Sequence, residues 1–66
     1  MPVLKVIEVM SSSVLSWEDA TQQAVTEASK TLKNIRSVYV KEQSAVVVDD
    51  KIKEYRVNLK LSFTIE

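Results

Sequence analysis

The chain has no cysteine, no histidine and no glycine, and its single proline is Pro2. Without cysteine there is neither a disulfide framework nor a thiolate metal site, and without histidine the usual zinc ligand and general base are missing. The lack of glycine removes phosphate-cradling loops and flexible linkers, and no stretch is of low complexity. Charge is balanced: nine Lys and Arg face nine Asp and Glu, so the cationic footprint of a nucleic-acid binder is absent. No apolar run approaches the length of a membrane span, and the amino-terminal residues lack a basic region followed by an apolar core. The expectation is a soluble cytoplasmic protein with neither nucleic acid nor membrane as partner.

What is present reads as nearly continuous regular structure. The 66 residues are expected to form one domain over 1–66. A chain of that size buries only about 60% of its unfolded surface and is marginal as a monomer. With disulfides and thiolate metal sites excluded, self-association is the remaining source of stability.

The clearest periodicity lies at the end. Tyr55, Val57, Leu59, Leu61, Phe63 and Ile65 occupy every second position, and Glu54, Arg56, Asn58, Lys60, Ser62 and Thr64 fill the alternate ones, the pattern of a strand with one buried and one polar face. Run from Ile52 to Ile65 at about 3.3 Å per residue, such a strand spans roughly 46 Å. A compact globule of this length has a diameter of only about 28 Å. The strand must therefore curl around something or project toward other subunits.

Upstream, Val3 to Met10 reads as a short strand apolar on both faces, Leu4, Val6 and Met10 on one and Val3, Ile7 and Val9 on the other, as in a strand covered on both sides. Ser11-Ser12-Ser13 reads as a loop. Ser16 with Asp19 three residues later forms a capping box that starts a helix, expected over roughly 17–33. Its apolar stripe is Trp17, Ala20, Ala24, Ala28, Thr31, Leu32 and Ile35, small enough for a helix lying close to a sheet. Arg36 to Val48 reads as a second long strand, with Val38, Val40, Val46 and Val48 on one face and Tyr39, Ala45 and Val47 on the other. The Asp49-Asp50 turn lacks the glycine of a tight primed hairpin, so a slightly wider loop is expected.

The order strand, helix, strand, strand places the last strand between the other two, antiparallel to both. The fold class is α+β, a three-stranded antiparallel sheet curled around one helix. Arg56, Asn58, Lys60 and Ser62 then lie on a face the chain does not cover itself.

Lys5-Val-Ile-Glu-Val9, Ser16-Trp-Glu-Asp-Ala20, Ala24-Val25, Ala28-Ser-Lys-Thr-Leu32, Asn34-Ile-Arg36, Val40-Lys-Glu-Gln43 and Tyr55-Arg-Val-Asn-Leu-Lys-Leu-Ser-Phe63 resemble the dodecins across essentially the whole chain. That resemblance implies a small flavin-binding protein of which twelve copies form a hollow shell of cubic symmetry. It places the polar face of the last strand toward the shell interior or toward neighbouring subunits. It also implies that the tryptophan which stacks on the isoalloxazine at the start of the second strand is replaced by Ser37. The flavin-contacting glutamine after the tyrosine of the last strand is replaced by Arg56, and the family's Gly-Thr-Ser loop by Ser11-Ser12-Ser13. Loss of the stacking ring removes about 0.5–1.5 kcal/mol beyond area burial, so binding of riboflavin, FMN or FAD is expected to be weakened. Trp17 sits where many dodecin-like sequences also carry tryptophan and reads as a packing residue.

Two readings of function follow. One is a homododecameric small-molecule binding and storage protein with pockets near Ser37, Val38 and Arg56, flavin being the family ligand. In it the Arg56 guanidinium stacks on a ring or binds phosphate, whereas the plain structural alternative pairs Arg56 with Glu54, Glu42 or Glu8. The other is a flavin-free shell that is structural or holds calcium or magnesium through Glu8, Glu18, Asp19, Glu42, Asp49 and Asp50, although Asp49-Asp50 lacks calcium-loop spacing. No metal residues are assigned. No nucleophile and base are recognisable as a pair, so no enzyme is expected. Tyr39 and Tyr55 read as strand residues whose rings fill packing space.

Overall fold

The computed structural model describes residues 3–65. They form β1 (Val3–Ser13), α1 (Trp17–Ala28), β2 (Ile35–Val48) and β3 (Lys51–Ile65). The sheet order is β1-β3-β2, with β3 antiparallel to both neighbours. The strand with the strongest alternation is thus the central one, as the order of elements predicts. Val57, Leu59 and Leu61 of β3 are 0–2% exposed; Val57 and Leu59 meet Ala20 of α1, with Val9, Trp17 and Ala24 packed around them. We call the side of the sheet that meets the helix inner and the other outer.

The helix starts as its cap dictates. Ser16 is extended (φ −170°, ψ 167°) and its Oγ accepts from the Asp19 amide at 2.9 Å. The Asp19 carboxylate does not return the bond. It accepts instead from Ser13 Oγ at 2.6 Å and from Gln23 Nε2, tying the end of β1 to the first helical turn. α1 ends at Ala28, earlier than the expected end near residue 33. The amides of Lys30 and Thr31 turn back to the carbonyls of Glu27 and Ala28 three residues earlier, and the Ser29 hydroxyl takes the Thr26 carbonyl at 2.7 Å. Local side-chain bonds of this kind compete with helix propagation. Asn34, at φ 62°, then turns the chain into β2, a left-handed conformation asparagine tolerates.

Three other expectations are corrected. Ser11-Ser12-Ser13 is strand, paired with Val57, Arg56 and Tyr55, because an available partner edge outweighs weak strand propensity. The hairpin is tight without glycine: Val48 pairs with Lys51, and both Asp49 (φ 51°) and Asp50 (φ 63°) take the left-handed conformation of a two-residue primed turn, which aspartate's short polar side chain permits. The faces of β2 also exchange partway along. A register shift between Val40 and Glu42 inserts Lys41, so Val38 and Val40 share the inner face with Gln43 and Ala45, opposite Leu61, Leu59, Val57 and Tyr55, while Val46 lies outside, opposite Glu54. A bulge flips everything beyond it.

The chain is long and thin, 51 × 20 × 13 Å, with a radius of gyration of 13.5 Å against about 11 Å for a compact chain of this length. Its accessible surface, 5057 Å², exceeds the roughly 4,200 Å² of a compact monomer of its mass. β1 is not covered on both sides by its own chain, since Leu4, Val6 and Met10 stand on the outer face at 52–75% exposure. No helix among the described residues is long and apolar enough to cross a membrane.

Candidate ligand site

Ser37 and Val38 open β2 and point to opposite faces. Ser37 lies outside, opposite Ser62, with the two hydroxyls hydrogen-bonded. Val38 lies inside, opposite Leu61, and with Val25, Ile35, Arg36 and Ser37 it edges an open groove of about 180 Å³. The register shift at Arg36 lets that side chain reach across the outer face, where its Nε donates to Thr64 Oγ1 at 3.0 Å.

Arg56 is elsewhere. It stands opposite Ser12 on one side and Ser44 on the other, six residues from Ser62 along β3, a separation of about 20 Å. Its Nε donates to Glu54 Oε1 at 3.0 Å, and with Met10, Ser11, Ser12 and Glu54 it lines an open groove of about 260 Å³. The hydrogen bond from Arg56 and its positive charge hold the Glu54 carboxyl below its usual pKa against partial desolvation, with help from Ser12. One chain therefore does not bring Ser37 and Arg56 together, and Arg56 makes the plain pairing with Glu54 rather than with Glu42 or Glu8.

Between these ends, the middle of the outer face is a charged patch. Lys41, the bulged residue of β2, reaches over the central strand to Glu8 of β1, Nζ to Oε2 3.3 Å. The hydrogen bond and charge of Lys41, with Asn58 and Lys60 nearby, lower the Glu8 pKa. Asn58 Nδ2 faces Glu42 at 3.5 Å, while its Oδ1 is buried with no partner among the described residues. Of the carboxylates considered for a cation, Glu8 and Glu42 sit here, Glu18 and Asp19 at the helix start, and Asp49 and Asp50 at the hairpin tip. No three metal-ligating side chains converge among the described residues.

The aromatic residues divide sharply. Trp17 packs against the core, its Nε1 donates to the Ser44 carbonyl at 2.9 Å, and its ring meets Tyr55 edge-on at 4.9 Å. Tyr39 instead stands on the outer face, opposite Lys60 and 65% exposed, contrary to the reading that its ring fills packing space. The same period of two that places Ser37 outside places Tyr39 there, two residues on.

Residues 3–66 match the family profile described as Dodecin. The chain is 38% identical over 63 residues to the calcium dodecin of Mycobacterium tuberculosis, covering 96% of this chain and 89% of that one. It is 34% identical over 64 residues to the dodecin of Thermus thermophilus, covering 97% and 93%. A crystal structure of an engineered variant of the T. thermophilus dodecin superposes with a TM-score of 0.94 at 33% identity, covering 100% of this chain and 98% of the other. The same strand, helix, strand, strand frame, shared over the full sheet, places this chain in the dodecin family.

Proposed function

We propose that the chain forms a hollow, cytoplasmic dodecamer that binds and stores a small molecule, with a flavin as its ligand held more weakly than in relatives that have an aromatic residue at Ser37. The observation that carries this reading is the shape of the protomer. A chain 51 Å long with a core of four fully buried apolar side chains leaves an outer sheet face and two strand edges that neighbouring copies can cover. Because Ser37 and Val38 lie about 20 Å along the sheet from Arg56, a pocket that uses all three draws them from different copies. Binding rather than catalysis fits these residues. Ser13, though bonded to Asp19, is 6% exposed and also accepts from the Leu15 amide, so its hydroxyl serves the fold.

The test is the mass and absorbance of the native particle, followed by equilibrium titration with riboflavin, FMN and FAD by fluorescence quenching. Particles of about twelve chains that quench flavin fluorescence support the reading, and Ser37→Trp should tighten binding by roughly twofold to tenfold. Absence of quenching at high micromolar protein removes flavin as the ligand.

A second reading is a shell that binds calcium or magnesium, favoured by the 38% identity to a relative named calcium dodecin. Since no three ligating side chains converge among the described residues of one chain, the oxygen ligands would come from several copies around an axis. Calcium titration by calorimetry, with and without prior chelation, decides it: an assembled particle without heat of calcium binding counts against it.

A further inference from the structure

The outer face near the start of β2, at the edge of the charge patch, carries a combination of groups that the core does not use. Tyr39 is 65% exposed, and no hydrogen bond to its hydroxyl is present among the described residues, whereas Trp17 and Tyr55 are engaged with each other. Across from Tyr39 is Lys60, which makes no salt bridge among the described residues, the neighbouring Glu8 being bonded to Lys41. One step along the same face is the Ser37–Ser62 hydroxyl pair, and one step beyond it is Thr64, which the Arg36 guanidinium reaches. On the third strand the row is apolar: Val6 opposite Ser62 and Leu4 opposite Thr64, at 57% and 52% exposure.

Together these give an aromatic ring at one side, an aliphatic pair at the other, short hydroxyls between them, and a cation at each end, Lys60 on the central strand across from Tyr39 and Arg36 at Thr64. A π-face and flat aliphatic surface suit a planar heteroaromatic ring, the hydroxyls suit its carbonyls and ring nitrogens, and Lys60 and Arg36 suit a phosphate. The serine pair matters sterically as well, since small side chains keep the space over the central strand open. Ring-bearing residues elsewhere in the chain are on the inner face or in its core, so Tyr39 is the aromatic side chain a ligand can reach on this face.

We infer that Tyr39 is the stacking platform of this protein's ligand site, with Lys60 and Arg36 as its phosphate-binding cations, making a phosphorylated flavin of the FMN type preferred over riboflavin. The inference rests on the flavin reading above and deepens it, moving the aromatic contact two residues along β2 from Ser37.

The experiment is a parallel titration of riboflavin and FMN into the assembled wild-type protein and its Tyr39→Leu, Tyr39→Phe and Lys60→Met variants, with particle mass checked for each. Wild type should bind FMN more tightly than riboflavin. Tyr39→Leu should weaken both flavins by about tenfold and Tyr39→Phe should retain them. Lys60→Met should bring FMN down toward riboflavin and leave riboflavin unchanged. Wild-type affinity in Tyr39→Leu overturns this inference and leaves the flavin reading standing, whereas a wild type that binds neither flavin overturns both. Should Tyr39→Leu fail to assemble, Lys60→Met decides, because an undiminished FMN preference in that exposed-residue variant equally overturns the assignment.

Discussion

Trp17 and Tyr55 meet edge to face, ring centroids 4.9 Å apart and planes at 76°, while the Trp17 indole N–H closes on the Ser44 carbonyl at 2.9 Å. One side chain at the helix start thereby grips both β3 and β2 near the hairpin. In a core with four fully buried apolar side chains, Ala20, Val57, Leu59 and Leu61, that contact carries a large share of the packing. Trp17→Ala should lower the unfolding free energy by about 3 kcal/mol. Trp17→Phe keeps a ring but strands the carbonyl, and should cost about 1 kcal/mol. Denaturant midpoints at fixed protein concentration check both, and near-equality of the two variants would show that the indole bond, not the ring, matters.

Asp19 joins what the chain keeps apart. Its carboxylate accepts from Ser13 Oγ, which is 6% exposed, and from Gln23 one turn along the helix. Asp19→Ala leaves the Ser13 hydroxyl without its acceptor and should cost about 1–3 kcal/mol. Ser13→Ala removes the buried donor itself but leaves the Leu15 amide without its acceptor, and should cost a similar amount. Amide exchange in the first helical turn should quicken in Asp19→Ala more than in Ser13→Ala.

The hairpin tip carries two left-handed residues that are not glycine, Asp49 at φ 51° and Asp50 at φ 63°. Asp50→Gly relieves the second and should raise stability by a few tenths to about 1 kcal/mol. Asp50→Val puts a β-branched side chain where it is disfavoured and should lower stability by more than that. Thermal unfolding of the two variants should bracket the wild type, and a destabilised Asp50→Gly would point to a role for the Asp50 carboxylate in holding the turn.

Much of this fold is written in residues with strict periods. The alternation from Tyr55 to Ile65 marks β3 as a strand with one buried face, the order of elements puts it at the centre of the sheet, and Ser16 fixes the helix start. Less legible are features set by competition between neighbouring interactions. The three serines after Met10 look like a loop until β3 supplies eleven residues of β1 with partners. The bulge at Lys41 has no marker such as glycine, so the faces of β2 are lost beyond Val40. At the site, the outward position of Ser37 follows from alternation, but the roughly 20 Å between it and Arg56 depends on register. The exposure of Tyr39 depends on what the sheet leaves uncovered.

Acid should loosen the sheet through two carboxylates. Hydrogen bonding by Lys41, then its charge, lowers the pKa of Glu8, and hydrogen bonding by Arg56 lowers that of Glu54. A carboxyl whose folded pKa lies below its unfolded value of about 4.3 binds fewer protons when folded. Its contribution is therefore complete above that value and drains away as pH falls through the folded pKa. Urea midpoints from pH 7 to pH 3 should fall along this limb, less steeply in Glu8→Gln and Glu54→Gln. Both groups face solvent, so added salt should shrink the difference. Variants that follow the wild-type limb at low salt would remove these two residues as its cause.

The most demanding consequence concerns the outer face. Leu4, Val6 and Met10 expose 52%, 57% and 75% of their surface in a chain already larger in accessible area than a compact monomer should be. Apolar surface in such a patch is stable in water when a neighbouring copy or a bound ligand covers it. Stability linked to association depends on concentration by mass action, so the unfolding midpoint should rise as protein is increased across the micromolar range. Met10→Glu places a charge where a neighbour would pack, and should shift the particle to smaller mass and lower its unfolding midpoint. Sedimentation velocity across a hundredfold concentration series, about the range needed for a clear shift, checks both. A protein that sediments as a monomer throughout, with an unchanged midpoint, would require the outer face to be stable bare, which its aliphatic row argues against.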